Sequence, residues 1–159
     1  MNRKPRPFTS SACVVGAAIV VLMCWFGSAL ARQSGLATIK LSAGIYVIQA
    51  EVASTTATRS RGLMQRKAMA QSAGMVFLFD ESALHCMWMK NTLIPLSVAF
   101  IDEQGAIVNI ADMQPLDETS HCALRPVRYA LEMNQGWFKK RGIAPGMHID
   151  GIPQTKRTQ

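Results

Sequence analysis

Trp88, Lys90, Asn91 and Thr92 stand within one short stretch of this 159-residue chain, with Arg61 and Arg66 upstream. Such a set is equipped to hold a small ligand. An indole offers a flat stacking face, and a Lys or Arg offers charge for a carboxylate or phosphate. The same residues also have an architectural reading: Trp88 and Met89 alternate on a strand, and Asn91-Thr92 supplies turn hydrogen bonds.

A second constellation is the repeated His85-Cys86 and His121-Cys122. Two imidazoles and two thiolates suit zinc or copper. Neighbours on a strand point to opposite faces, which works against both pairs converging on one ion. A disulfide between Cys86 and Cys122 is the expectation in an oxidising compartment, with metal binding and free thiols as alternatives. The bridge would close a loop of about 36 residues and contribute about 4 kcal/mol in the loop-entropy model. It would also staple the loop around His121 to the strand before Trp88.

Glu132 is the third candidate. It lies opposite the apolar side of its own strand, where pairing with Arg61, Lys90 or Arg128 is expected. Removing one partner of a buried pair costs about 3–5 kcal/mol. A structural or ligand-orienting carboxylate is expected in preference to a general base. The chain has no Gly-rich phosphate loop, no Ser-centred nucleophile elbow and no HExxH. Its methionines are scattered through apolar segments, as core filler is, without the clustering of a copper relay. No cofactor is expected.

These residues must be placed by a β-rich body. Ile45 to Ala53 alternates, with Tyr46, Ile48, Ala50 and Val52 on one face. Ser54-Thr55-Thr56 can cap a short helix over residues 56–64, in which Arg59 and Leu63 share a face and Gly62 forces an early end. Gly74 to Phe79 is apolar throughout and suits a strand buried on both faces. Further strands are expected over 84–89, 96–101, 106–111 and 127–133. The middle pair forms a hairpin around Asp102-Glu103-Gln104-Gly105. On Val127, Tyr129, Leu131 and Met133 one face is expected to be apolar. One helical turn is expected over 137–141, and residues 147–149 are placed to close the sheet. The total, about seven short strands with one or two short helices, points to a mainly β fold: a small antiparallel sandwich or partly open barrel.

The N-terminus reads differently. Arg3, Lys4 and Arg6 precede an uncharged, mostly apolar run from Ala12 to Gly27, and Ala29-Leu30-Ala31 follows. These are the parts of a secretory signal, in order. The reading is a cleaved signal over residues 1–31, a flexible lead and first short strand over 32–44, one domain over 45–152 and a loose polar tail over 153–159. The protein would then be periplasmic or secreted. The alternative is an inner-membrane anchor over residues 12–30, close to the roughly 20 residues that span hydrocarbon. Arg3, Lys4 and Arg6 leave with the signal, so the net charge of +7 overstates the basicity of the working protein. Lys139-Lys140-Arg141 lacks interleaved aromatics and reads as a solvated face, so no nucleic-acid partner is expected.

Several stretches together carry a resemblance: residues 61–66 (RGLMQR), 74–79 (GMVFLF), 88–96 (WMKNTLIPL), 129–136 (YALEMNQG) and 142–146. The chain resembles the domain of unknown function 192 family, also called uncharacterised protein family 0127, over roughly Ile45 to Ile149. The resemblance implies a compact β-rich domain, often behind a signal peptide, and no established activity, substrate or cofactor. Many relatives carry Asp where this chain has Ser97, which weakens any shared carboxylate chemistry there. Met87 stands where an aromatic is common.

The reading is therefore a non-enzymatic envelope protein that binds a small ligand or partner through the Trp88–Thr92 region. One rival is an envelope hydrolase using Glu132 or a histidine with Lys90 or Arg61. Another is a metal-handling protein using His85, Cys86, His121 and Cys122.

Overall fold

A computed structural model describes Met1 and residues 35–154. The signal or anchor expected over residues 1–31 therefore lies outside the described residues from Asn2 onward, and so does most of the polar tail. Among the described residues no helix is long and apolar enough to cross a membrane.

Alternating apolar residues build the strand over Tyr46–Ala53, and nearly continuous apolar runs build the central strands over Ala73–Ala83 and Leu96–Ile101. β1 (Thr38–Ala43) and β2 (Tyr46–Ala53) form a hairpin around Gly44, whose φ of 58° favours a residue without Cβ. A six-residue helix, α1 (Thr56–Arg61), leads to β3 (Ala73–Ala83), buried from Gly74 to Phe79. Then come β4 (Cys86–Met87), β5 (Leu96–Ile101), β6 (Ile107–Met113), β7 (His121–Cys122), β8 (Val127–Asn134) and a 3₁₀ turn at Lys139–Arg141.

The main sheet has six strands in the order β1-β2-β3-β8-β5-β6, and β4 and β7 form a separate two-stranded ribbon. The fold is mainly β and the sheet is not closed. The segment after the 3₁₀ turn reaches across both edges instead. Ser42 on β1 exchanges two backbone hydrogen bonds with Asp150, at 3.0 and 2.8 Å. Ile107 on β6 donates to Met147 at 2.8 Å. Residues 147–150 thus bridge the edges, through isolated bridges at His148 and Asp150 rather than as a strand.

Three expectations need correction. β2 and β3 run parallel, so the sheet is not purely antiparallel. The strand expected over 84–89 shrinks to Cys86–Met87, because its neighbours turn into loop around the pocket described below. Val127 packs with the opposite cluster from Tyr129, Leu131 and Met133, where the β3–β8 register shifts between Leu78 and Ala83.

Each face of the sheet carries its own core. One holds Ile48, Val76, Ala99, Tyr129, Leu131 and Met133 under Trp137, Phe138, Ile143 and Ile149. The other holds Met75, Phe77, Val98, Phe100 and Ala130, covered by Leu63, Met89, Ile94 and Ala123 from the connections. Strand alternation puts Glu132 on this second face, since Leu131 and Met133 occupy the first.

Candidate functional site

The site grows from the way α1 is fastened to β3. Thr55 caps the helix: its hydroxyl accepts the Thr58 N–H at 3.2 Å, and the Thr58 hydroxyl accepts the Thr55 N–H at 2.9 Å. This reciprocal pair satisfies two of the orphan donors of the first turn. The helix ends at Gly62, with φ 46°. A Cβ there would lie 3.4 Å from Phe77 Cζ, so the backbone sits close on the ring. Arg59 completes the attachment. Its guanidinium donates to the carbonyls of Ser54 at 2.8 Å and Leu78 at 2.9 Å, and meets the Asp80 carboxylate at 2.6 Å.

A pocket of about 430 Å³ opens beside this helix, within the range of small-molecule sites. Residues Arg59 to Met64 form one wall, and residues His85 to Trp88 with Thr92 form the other. Phe77, Phe79 and Glu132 line it from the sheet. His85 stacks on Phe79 with ring centroids 3.7 Å apart, and its Nε2 lies 3.1 Å from the Glu81 carbonyl oxygen, which accepts. Cys86 and Cys122 are joined by a disulfide across the β4–β7 ribbon, which ties this wall to the loop beyond.

Glu132 is the anomalous group. It is 4% exposed, and its ladder neighbours are Met75 on β3 and Val98 on β5. No hydrogen bond or ion pair reaches its carboxyl among the described residues, so the expected pairing with Arg61, Lys90 or Arg128 does not occur. Burial without a counter-charge pushes its pKa up to about 8. At neutral pH the group is a carboxylic acid, with one O–H donor and acceptor oxygens facing the pocket.

The sequence candidates divide between the pocket and its supports. Arg61, Trp88, Thr92 and Glu132 line the cavity together. Arg66 instead meets Glu51 of β2 at 2.5 Å. Lys90 extends to Glu118 at 4.0 Å, where both side chains are exposed. Asn91 takes the left-handed conformation, φ 56°, and its carbonyl accepts the Gln65 N–H at 2.9 Å. Trp88 and Thr92 thus line the cavity, and Lys90 and Asn91 are not part of its lining. Ser97 is buried away from the pocket lining. It donates to Asp112 and accepts the Gly136 N–H at 2.8 Å, anchoring the turn after β8.

The metal alternative finds no donor set. The disulfide consumes both thiols, and no group of three or more His, Cys, Asp or Glu side chains gathers among the described residues. Arg59, Phe77 and Phe79 were not singled out as site residues, and His85 was considered only as a metal ligand. The usable signal was the four-residue spacing of Arg59 and Leu63, both of which line the wall.

Residues 37–151 match the model of the DUF192 family, described as “Uncharacterized ACR”. The chain belongs to that family. No curated protein matches. A protein of unknown function from Novosphingobium aromaticivorans DSM 12444 has a crystal structure similar to this chain. The TM-score is 0.73 at 34% identity, over 76% of this chain and 89% of that one. A proposed transcription regulator from Sinorhizobium meliloti 1021 is also similar, with TM-score 0.69 at 35% identity over 73% of this chain and 95% of that one.

Proposed function

We propose that this chain is an exported, non-enzymatic binding protein whose small ligand enters between α1 and the β4 wall and reaches Glu132. The observation that carries the reading is the pairing of a preformed cavity with a buried carboxyl that has no partner among the described residues. A buried polar group left unmatched costs about 1–3 kcal/mol, and a ligand that hydrogen-bonds it recovers part of that. Trp88, 49% exposed at the mouth, offers a stacking face, and Arg61 offers charge. Hydrolysis would need a nucleophile or a second acid-base group on Glu132. No hydrogen bond joins its carboxyl to a hydroxyl or imidazole among the described residues.

Export rests on the N-terminal basic, apolar and small-residue segments of the sequence. The Cys86–Cys122 bond is compatible with an oxidising compartment.

The test is to recover the full chain from its own envelope and identify the small molecules it releases on denaturation, beside Ser60→Trp, which puts bulk into the wall, and Trp88→Ala. A molecule released near stoichiometrically by the wild type and lost from Ser60→Trp supports the reading. Equal release from all three overturns it.

A further inference from the structure

The inner end of the cavity is chemically narrower than its mouth. Around the mouth stand Arg59 and Arg61 from α1, Asp80 and Glu81 from β3, and His85 before β4. Arg59 is already neutralised by Asp80 at 2.6 Å. Buried Leu63 and Phe77 line the cavity with one buried carboxyl, Glu132, whose ladder neighbour is Met75 of the same apolar cluster.

Resting on the ligand-binding reading above, we propose that the pocket selects a ligand whose buried end is a neutral amide, lactam or imide edge, paired two-for-two with the Glu132 carboxyl. The carboxyl O–H donates to the ligand carbonyl, and the carboxyl carbonyl accepts the ligand N–H. An amide edge is the group that satisfies both atoms at once.

An ammonium end is the competing chemistry, and the surroundings disfavour it. It would require Glu132 to ionise where no donor among the described residues shares its charge, and two desolvated ions repay their desolvation only with further hydrogen bonds. A carboxylate end accepts one hydrogen bond from Glu132 and leaves the second carboxyl oxygen facing a like acceptor. A neutral edge needs no charge moved. Burial holds the proton on Glu132 up to about pH 8, so the acid form is the one a ligand meets.

The test uses four probes built on one ring: benzamide, benzylammonium, benzoate and toluene. Each is titrated against the full chain and its Glu132→Gln and Glu132→Leu variants by ligand-observed saturation-transfer NMR, with far-UV circular dichroism reporting the fold. Benzamide is expected to bind about tenfold tighter than toluene at pH 7. Its affinity should fall about tenfold between pH 7 and pH 9 as Glu132 ionises. Glu132→Gln keeps the benzamide preference and loses the pH dependence, which separates Glu132 from the charged groups at the mouth. Glu132→Leu keeps toluene and loses the preference. Tighter binding of benzylammonium, or a benzamide preference that survives in Glu132→Leu, overturns the amide assignment and leaves the pocket standing. If none of the four probes binds, the ligand-binding reading falls and this one with it.

Discussion

Glu132 faces Met75 directly across the β3–β8 ladder, a carboxyl set against a thioether, with aliphatic Val98 on its other side. Neither neighbour can share a charge, so the position favours the protonated acid. The folded-state pKa, about 8, lies above the ordinary value of 4.5. Between those values the folded state holds a proton that the unfolded state has released. Stability is therefore fully present below pH 4.5, falls as pH rises, and levels above pH 8. The slope is about 1.4 kcal/mol per pH unit, so wild type should lose on the order of 4 kcal/mol between pH 5 and pH 8. Glu132→Gln should lack this loss. Urea unfolding of both proteins at the two pH values reads the difference.

Arg59 and Asp80 make a close ion pair, yet the two partners should weigh differently on stability. The Asp80 side chain is 79% exposed and that of Arg59 16%. Asp80→Asn should cost less than about 1 kcal/mol, as exposed pairs do. Arg59→Met also strips a hydrogen bond from the carbonyl of Leu78, itself buried, and should cost about 1–3 kcal/mol. Equal losses in chemical denaturation would show that the carbonyl contacts do not hold α1 in place.

The disulfide ties the pocket wall at Cys86 to Cys122, 36 residues away in sequence. Replacing both by Ser should lower stability by about 4 kcal/mol in the loop-entropy model. Because Cys86 lines the pocket, the replacement should also weaken ligand retention. Thermal melts with and without reductant check the first effect, and quantifying the small molecules released from the variant checks the second.

At Gly74, β3 presses close on β8. A Cβ there would meet Met133 Sδ and lie 2.6 Å from the Glu132 carbonyl oxygen. The sulfur ends a flexible chain, but the carbonyl is ladder backbone. Gly74→Ala should cost about 1–3 kcal/mol or more through overpacking, measured as a shift in the denaturation midpoint. A neutral result would mean the two central strands can separate without loss.

Local features were readable in the sequence because local chemistry decides them. Alternation placed Tyr46, Ile48, Ala50 and Val52 against one core. The Thr55 cap and the Gly62 stop bounded α1, and the hairpin around Gly105 formed as expected. What escaped depends on which distant segments meet. A strand's pattern does not carry its direction, so the parallel β2–β3 pair was invisible. Periodicity put Glu132 on the less apolar side of its own strand, but its neighbours Met75 and Val98 come from segments remote in the chain. Without that register, a partner looked natural where the described residues supply none. The Trp88–Thr92 motif was visible as a unit and is divided in space, Trp88 and Thr92 on the cavity, Lys90 and Asn91 off it.

The state of the Glu132 side chain decides the account, and it can be read directly. With glutamate labelled at the δ-carbon with ¹³C, and Glu132→Gln used to assign the resonance, an NMR titration follows this one group. A midpoint near 8 is the result expected of a proton held by burial at the inner end of the pocket. A midpoint near 4.5 would mean a solvated or paired carboxylate, and would contradict the site described here.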